Sequence, residues 1–185
     1  MKRDGWEGGH RVPLIARWPA KIPPDLISRQ LANTTDIFAT LASIVGYDLP
    51  DEVAVDSFDL LPVMIGKQPE TESIRPYMLT QSFRGEYQLR QGQWKYLDHQ
   101  GSGGNDYRAD ALQAYALPET AAEASGQLFD LDRDPGETKN LYFIENARRQ
   151  QMQMLMQQLQ GKSGRTAPRT RRALGFDNIP PARQP

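Results

Sequence analysis

Reactive side chains gather at the start of this chain. Lys2, Glu7, His10 and Arg11 surround a paired glycine, Gly8-Gly9, just ahead of the short apolar run Val12 to Trp18, which Pro19 closes. A turn placed ahead of a buried strand commonly faces an active site, since functional groups sit on loops that a rigid scaffold positions. One further histidine, His99, stands far along the chain. With only two histidines and no cysteine, the composition removes disulfides, thiolate metal sites and cysteine nucleophiles, and argues against a self-contained zinc site. What remains is the chemistry of charged side chains around a glycine turn.

The bulk numbers bound the answer. A chain of 185 residues makes one ordinary domain or two small ones. Its 38% hydrophobic content and mean hydropathy of -0.65 are low for a globule, so part of the length is expected to stay unpacked. The formal net charge of -1 argues against a general nucleic-acid binder. No apolar run approaches the roughly 18 residues of a membrane span, and Met1-Lys2-Arg3 is not followed by the apolar core of a signal peptide.

Several elements must position those charges. Val12 to Trp18 is β-branched and aromatic, and predicts a largely buried strand. Asn33 to Gly46 predicts a helix, with Thr34 or Thr35 as cap, Asp36 at the positive end of the dipole, and Ile37, Leu41, Ile44 and Val45 on one face. A short amphipathic helix is expected over 60–65. Beyond a polar stretch at 67–73 the period changes. Runs at 76–80, 87–90 and 94–97 predict an antiparallel meander, with Gln91-Gly92-Gln93 as a hairpin turn. The glycine-rich 101–106 predicts loop, 127–131 a returning strand, and Asp134-Pro135-Gly136-Glu137 a turn. Residues 146–160 predict a last helix with a packing stripe of Met152, Leu155, Met156 and Leu159. The arginine-rich tail from Gly161 is expected to be disordered.

Six motifs in order, K-x-x-x-W-E-G-G-x-R-V-P, R-W-P closing the strand, T-D-I-x-x-T-L, D-x-x-x-L-L-P, G-x-W-K-Y and L-F-D-L-x-x-D-P-G-E-x-x-N-L, resemble the C-terminal portion of the formylglycine-dependent (type I) sulfatases. The resemblance runs from Lys2 to about Leu159. It implies an α/β, alkaline-phosphatase-like fold of which this chain is the C-terminal fragment. Residues 1–67 would end the large mixed-sheet catalytic domain. Residues 74–160 would form a small subdomain, a four-stranded antiparallel sheet packed by a C-terminal helix, and 161–185 would be the tail.

By the same resemblance Lys2, five positions before Glu7, is a catalytic-site lysine that touches sulfate, against the alternative of a solvated lysine. An ammonium suits that role, because a sulfate ester cleaves with negative charge developing on oxygen. Glu7, Gly8, Gly9 and Arg11 read as the structural turn, held by hydrogen bonds and an ion pair. His10 reads as a substrate contact or a surface histidine. His99, in a pocket-walling loop, reads as a contact to the alcohol part of the substrate. The formylglycine element C/S-x-P/A-x-R is absent from this sequence, and the calcium ligands of the family would fall outside it. The resemblance therefore implies calcium and formylglycine for the intact enzyme, with no cofactor or metal held by this fragment. It implies a sulfated small molecule or glycan as substrate and the missing N-terminal half as partner, with no nucleic acid and no membrane. For the intact family the resemblance implies a periplasmic or secreted location, which leaves the compartment of this chain open. The fragment alone is expected to be inactive, and the competing reading is a non-catalytic module binding a sulfated glycan or protein.

Overall fold

The computed structural model describes residues 1–162. Two units emerge, one built from Met1–Pro13 with Tyr77–Gln160, the other from Leu14–Pro76. The expected tail lies, from residue 163 on, outside the described residues.

The first unit is a four-stranded antiparallel sheet in the order β1-β2-β3-β4, comprising Met78–Gln81, Tyr87–Gln91, Trp94–Leu97 and Gln127–Asp130. Register sets Leu79 opposite Leu89, Leu89 opposite Tyr96, and Tyr96 opposite Leu128. That row faces the last helix, Asn146–Leu159, through Met152, Met156 and Leu159, and all but the edge residue Leu79 are fully part of the buried core. Because side chains alternate along a strand, the intervening residues point the other way. Gln88, Arg90, Lys95, Leu97, Gln127 and Phe129 form this second face, and the first residues of the chain lie across it, with Trp6 against Leu97, Phe129 and Leu131. The meander, its hairpin and the methionine stripe follow the sequence expectation. A short helix, Asp110–Gln113, falls within the long excursion before β4.

The second unit has a small core of Phe58, Leu60 and Ile74. Its helix, Asp36–Ile44, forms as expected and is followed by Gly46 at φ 73°, but its burial is inverted. Asp36, Ala39 and Thr40 are the buried residues, while Ile37, Phe38, Leu41 and Val45 are exposed. The buried polar groups are satisfied. Asp36 accepts from Phe58 N at 2.9 Å and pairs with Arg75, itself 6% exposed. Thr40 Oγ1 accepts from Leu60 N at 2.9 Å, and Ser57 Oγ accepts from Ala39 N at 2.8 Å. Neither Thr34 nor Thr35 caps the helix through its side chain. Asn33 Oδ1 takes the Thr35 amide instead, at 3.0 Å.

The strand expected over Val12 to Trp18 does not form. A strand needs a neighbour for its amides and carbonyls, and none of the described residues pairs with this run, which leaves Ile15 88% exposed. The only sheet among the described residues is the small antiparallel one.

The Asp36–Arg75 pair is buried and also anchors backbone, so removing one partner strands a charge. Arg75→Met is expected to destabilise the Leu14–Pro76 unit by about 3–5 kcal/mol, read as a lower urea midpoint. A shift within error of zero would show that the pair carries no stability.

Candidate functional site

Lys95 sits in the middle of β3 between two aromatic residues, a charged group in an otherwise apolar strand. It points to the face that carries the N-terminal segment and is 3% exposed. Its ammonium lies 3.0 Å from Glu7 Oε1 and 3.1 Å from Glu137 Oε1. Arg90, its cross-strand neighbour, completes the cluster with Nη1 2.8 Å from Glu7 Oε2. Glu137 in turn accepts the Glu7 amide at 2.6 Å. Burial would raise the Glu7 carboxyl, but Lys95 and Arg90 outweigh it and hold the group below the ordinary carboxylate value. Glu137, which has Lys95 alone, is pushed up by burial.

This assigns Glu7 its partners. The ion pair expected within the turn goes to Lys95 and Arg90. Arg11 is exposed and contributes its amide to Glu7 O at 2.7 Å and a more distant attraction. The turn itself is one turn of helix, Glu7–His10. Gly9 is required there by close approach, because a β-carbon would strike the carbonyl oxygens of Asp4 and Met1.

The motif around Asp134 has a matching logic. Asp134 accepts from Lys139 N at 2.8 Å and from the Thr138 hydroxyl at 3.0 Å. Asn140 Oδ1 satisfies the amides of Leu128 and Tyr142 at 3.0 and 3.1 Å. Between them Glu137 is held at φ 55°, a conformation that L residues avoid, and its carboxylate reaches Lys95. Such strain survives only where the surroundings over-determine it.

Residues 2–5 run against the loops of the same unit. Asp4 is fully buried, and its carboxylate accepts from Asn105 N and Nδ2 at 3.0 and 2.8 Å and from the Tyr107 hydroxyl at 2.5 Å. Burial and the Asp4 carboxylate push the Tyr107 phenol up to about 12, so it stays a donor. Lys2 itself is exposed, and its ammonium has no ion-pair partner among the described residues.

The two histidines separate. His10 is half-buried, and its Nε2 meets no partner in a cavity of ≈ 10 Å³ lined by Thr80, Gln88, Arg90 and Lys95. Burial and Lys95 lower its pKa. A space of that size holds one water rather than a sugar. His99 is 8% exposed, with Nδ1 3.1 Å from Gln100 O and 3.4 Å from Glu86 Oε2, and Nε2 unpartnered. Gln127 fixes its loop by donating to His99 O and Gly101 O while accepting from Trp6 Nε1 at 3.0 Å. Beside this loop lies a cleft of ≈ 470 Å³ that includes Trp6, Arg84, Glu86, Gln100, Tyr107 and Glu119. Lys2, His10 and His99 do not line it.

Comparison with known proteins gives this sheet, helix and charged N-terminal segment a family. Residues 1–164 match the family described as N-sulphoglucosamine sulphohydrolase, C-terminal. The chain is 33% identical over 140 residues to an N-acetylgalactosamine-6-O-sulfatase of Bacteroides thetaiotaomicron, covering 76% of this chain and 25% of that protein. It is 36% identical over 143 residues to arylsulfatase A of Homo sapiens, covering 76% and 28%. A solved structure from work on the metabolism of multiple glycosaminoglycans by Bacteroides thetaiotaomicron superposes with a TM-score of 0.65 at 28% identity, over 85% of this chain and 30% of that one. The chain belongs to the sulfatase family, with the alkaline-phosphatase-like fold, and corresponds to its C-terminal portion. It spans about a quarter of the length of the curated relatives it matches.

Lys95→Met is expected to cost about 3–5 kcal/mol at pH 7, because Glu137 loses its only cation while buried. Lys95 lowers the Glu137 pKa, so its removal lifts that pKa further above the ordinary 4.5. The folded variant then holds the proton more tightly than the unfolded chain, and stability rises as pH falls from 7 toward 4.5. Glu7, held below its ordinary value in the parent chain, contributes above that value and loses the contribution as pH falls through its folded pKa. Urea unfolding at pH 7 and pH 5 should therefore give a smaller variant penalty at pH 5. An equal penalty at both would contradict the assignment.

Proposed function

We propose that this chain is the C-terminal part of an enzyme that hydrolyses sulfate esters, and that it is inactive alone. The observation that carries the reading is Lys2, an exposed ammonium without an ion-pair partner among the described residues, five positions ahead of the buried Glu7 that ties its segment to the sheet. Lys2 places positive charge against sulfate oxygens as charge develops during cleavage. His99, whose loop borders the cleft, is the candidate contact to the alcohol part of the substrate. In the intact enzyme residues 1–67 close the catalytic domain, 74–160 form the small subdomain, and 161–185 follow as a tail. A sulfated glycan is the favoured substrate class, supported by the sulfated-sugar names among the relatives.

Calcium and formylglycine belong to this reading only through the intact enzyme. The sequence contains no cysteine, and the described residues offer no cluster of three metal-ligating side chains. The calcium ligands and the nucleophile are assigned to the rest of that enzyme. The side chains Ile15, Ile27, Ile37, Phe38, Leu41 and Val45 are each exposed, and large apolar side chains left in water in such number are what another part of a protein covers. The missing N-terminal half is the partner that fits a chain matching a quarter of its relatives.

Two experiments test the reading. The purified chain should associate in light scattering and show no turnover of an aryl sulfate, with or without calcium and formylglycine-generating enzyme. A well-behaved monomer with turnover that survives Lys2→Ala would sink the proposal. In the full-length enzyme Lys2→Ala should lower kcat by roughly two to three orders of magnitude while leaving the melting temperature in place. Wild-type turnover in that variant would show that Lys2 does not touch the reacting group.

A further inference from the structure

We propose that Asn105 is a positioning residue for Lys2, so that the glycine-rich loop of the small subdomain sets the geometry of a cation 103 residues earlier in the chain. The inference rests on the reading of Lys2 given above. The Asn105 side chain donates from Nδ2 to Lys2 O at 2.9 Å and to Asp4 Oδ1 at 2.8 Å, and its amide donates to the same Asp4 oxygen at 3.0 Å. One residue thus pins the chain on both sides of Arg3.

Arg3 is where pinning is needed. Its φ is 88°, in the region that side chains avoid. A strained residue relaxes unless its neighbours fix it, and here they do so from two loops. Arg3 O accepts from Phe83 N at 3.0 Å, and the Arg3 guanidinium lies 3.7 Å over the Phe83 ring. Gly5 N donates to Ser102 O at 2.6 Å. Gly104 lies so close to Arg3 O that a β-carbon has no room. The loop that carries Asn105 is itself braced, since Ser102 Oγ donates to Asn105 O at 2.9 Å and accepts from Gly104 N at 3.1 Å.

The Lys2 ammonium rides on a flexible stem with no ion pair to steer it, so its origin is set by the backbone alone. A point charge that stabilises developing charge loses effect with displacement, and a shift of about 1 Å can cost as much as about 100-fold in rate. Asn105 holds no substrate atom in this account. It acts through Lys2 O, on the side of the segment facing the loop.

The test uses the full-length enzyme with a sulfate ester. Asn105→Ala is expected to lower kcat roughly 10- to 100-fold, with KM changed by no more than about twofold and the melting temperature largely kept. Combined with Lys2→Ala it should add little, because the two act as one unit. In the 185-residue chain, the Gly5 amide should exchange faster in Asn105→Ala, reporting release of the pinned segment. If Asn105→Ala does not fold, Asn105→Ser keeps the backbone bond to Asp4 while removing the donor that reaches Lys2 O, and carries the same expectation. Should Lys2→Ala cost nothing, the reading of Lys2 itself fails, and this inference goes with it. A large loss in Lys2→Ala beside an intact kcat in the Asn105 variants, or a loss that simply multiplies with that of Lys2→Ala, overturns the positioning role and leaves Lys2 standing.

Discussion

A single buried ammonium holds the sheet-bearing unit together. Lys95 stands between Glu7 and Glu137, carboxylates that reach it from opposite ends of the chain. Without that cation Glu137 would be a buried carboxylate with no cation beside it, and Glu7 would keep Arg90 alone. Glu137 would lose the contact that fixes its left-handed backbone, and Glu7 would lose its hold on the turn. Through Glu7 the effect reaches Asp4, Arg3 and Lys2, because these residues run continuously across the second face of the sheet. The helix Asn146–Leu159 covers the first face chiefly with apolar side chains, joined by a hydrogen bond from Gln153 Nε2 to the Tyr96 hydroxyl at 3.0 Å. The two faces thus divide the labour, one for packing and one for placing charge.

The division explains which parts were legible in sequence. Strand alternation and the methionine stripe are local patterns, so the meander, its hairpin and the last helix could be read directly. The motif strings around Glu7, Lys95 and Glu137 were also visible, but not the fact that they meet. Glu7 and Lys95 are 88 residues apart, and Glu7 and Glu137 are 130 apart, a separation that no periodicity encodes. The one local clue was a lysine set among aromatic residues in a strand. Asn105 left no clue at all, since an asparagine in a glycine-rich loop is ordinary turn chemistry.

Two readings failed for a common physical reason. Val12 to Trp18 has the composition of a buried strand, and Ile37, Leu41 and Val45 have the spacing of a buried helix face. Both patterns describe a surface meant to be covered, but neither says by what. In the second unit the cover on the helix is instead Asp36, Thr40 and Ala39 against Phe58, Leu60 and Arg75. The polar side of the helix is buried because each polar atom there has a partner, which removes the usual penalty. The apolar side stays exposed among the described residues.

Charge counting shows why the motifs occur together. Glu7, Glu137, Lys95 and Arg90 sum to zero formal charge inside a poorly solvated cluster. Removing any one leaves a net charge where water cannot screen it. The Glu of E-G-G, the Lys of W-K-Y and the Glu of D-P-G-E are therefore not independent signatures. Each is tolerable only in the presence of the others, and Arg90 completes the balance from the neighbouring strand. A chain that kept the small sheet but lost the N-terminal turn would strand Lys95 beside Glu137 with Arg90 unmatched. The turn Glu7–His10 is therefore an integral part of the sheet-bearing unit.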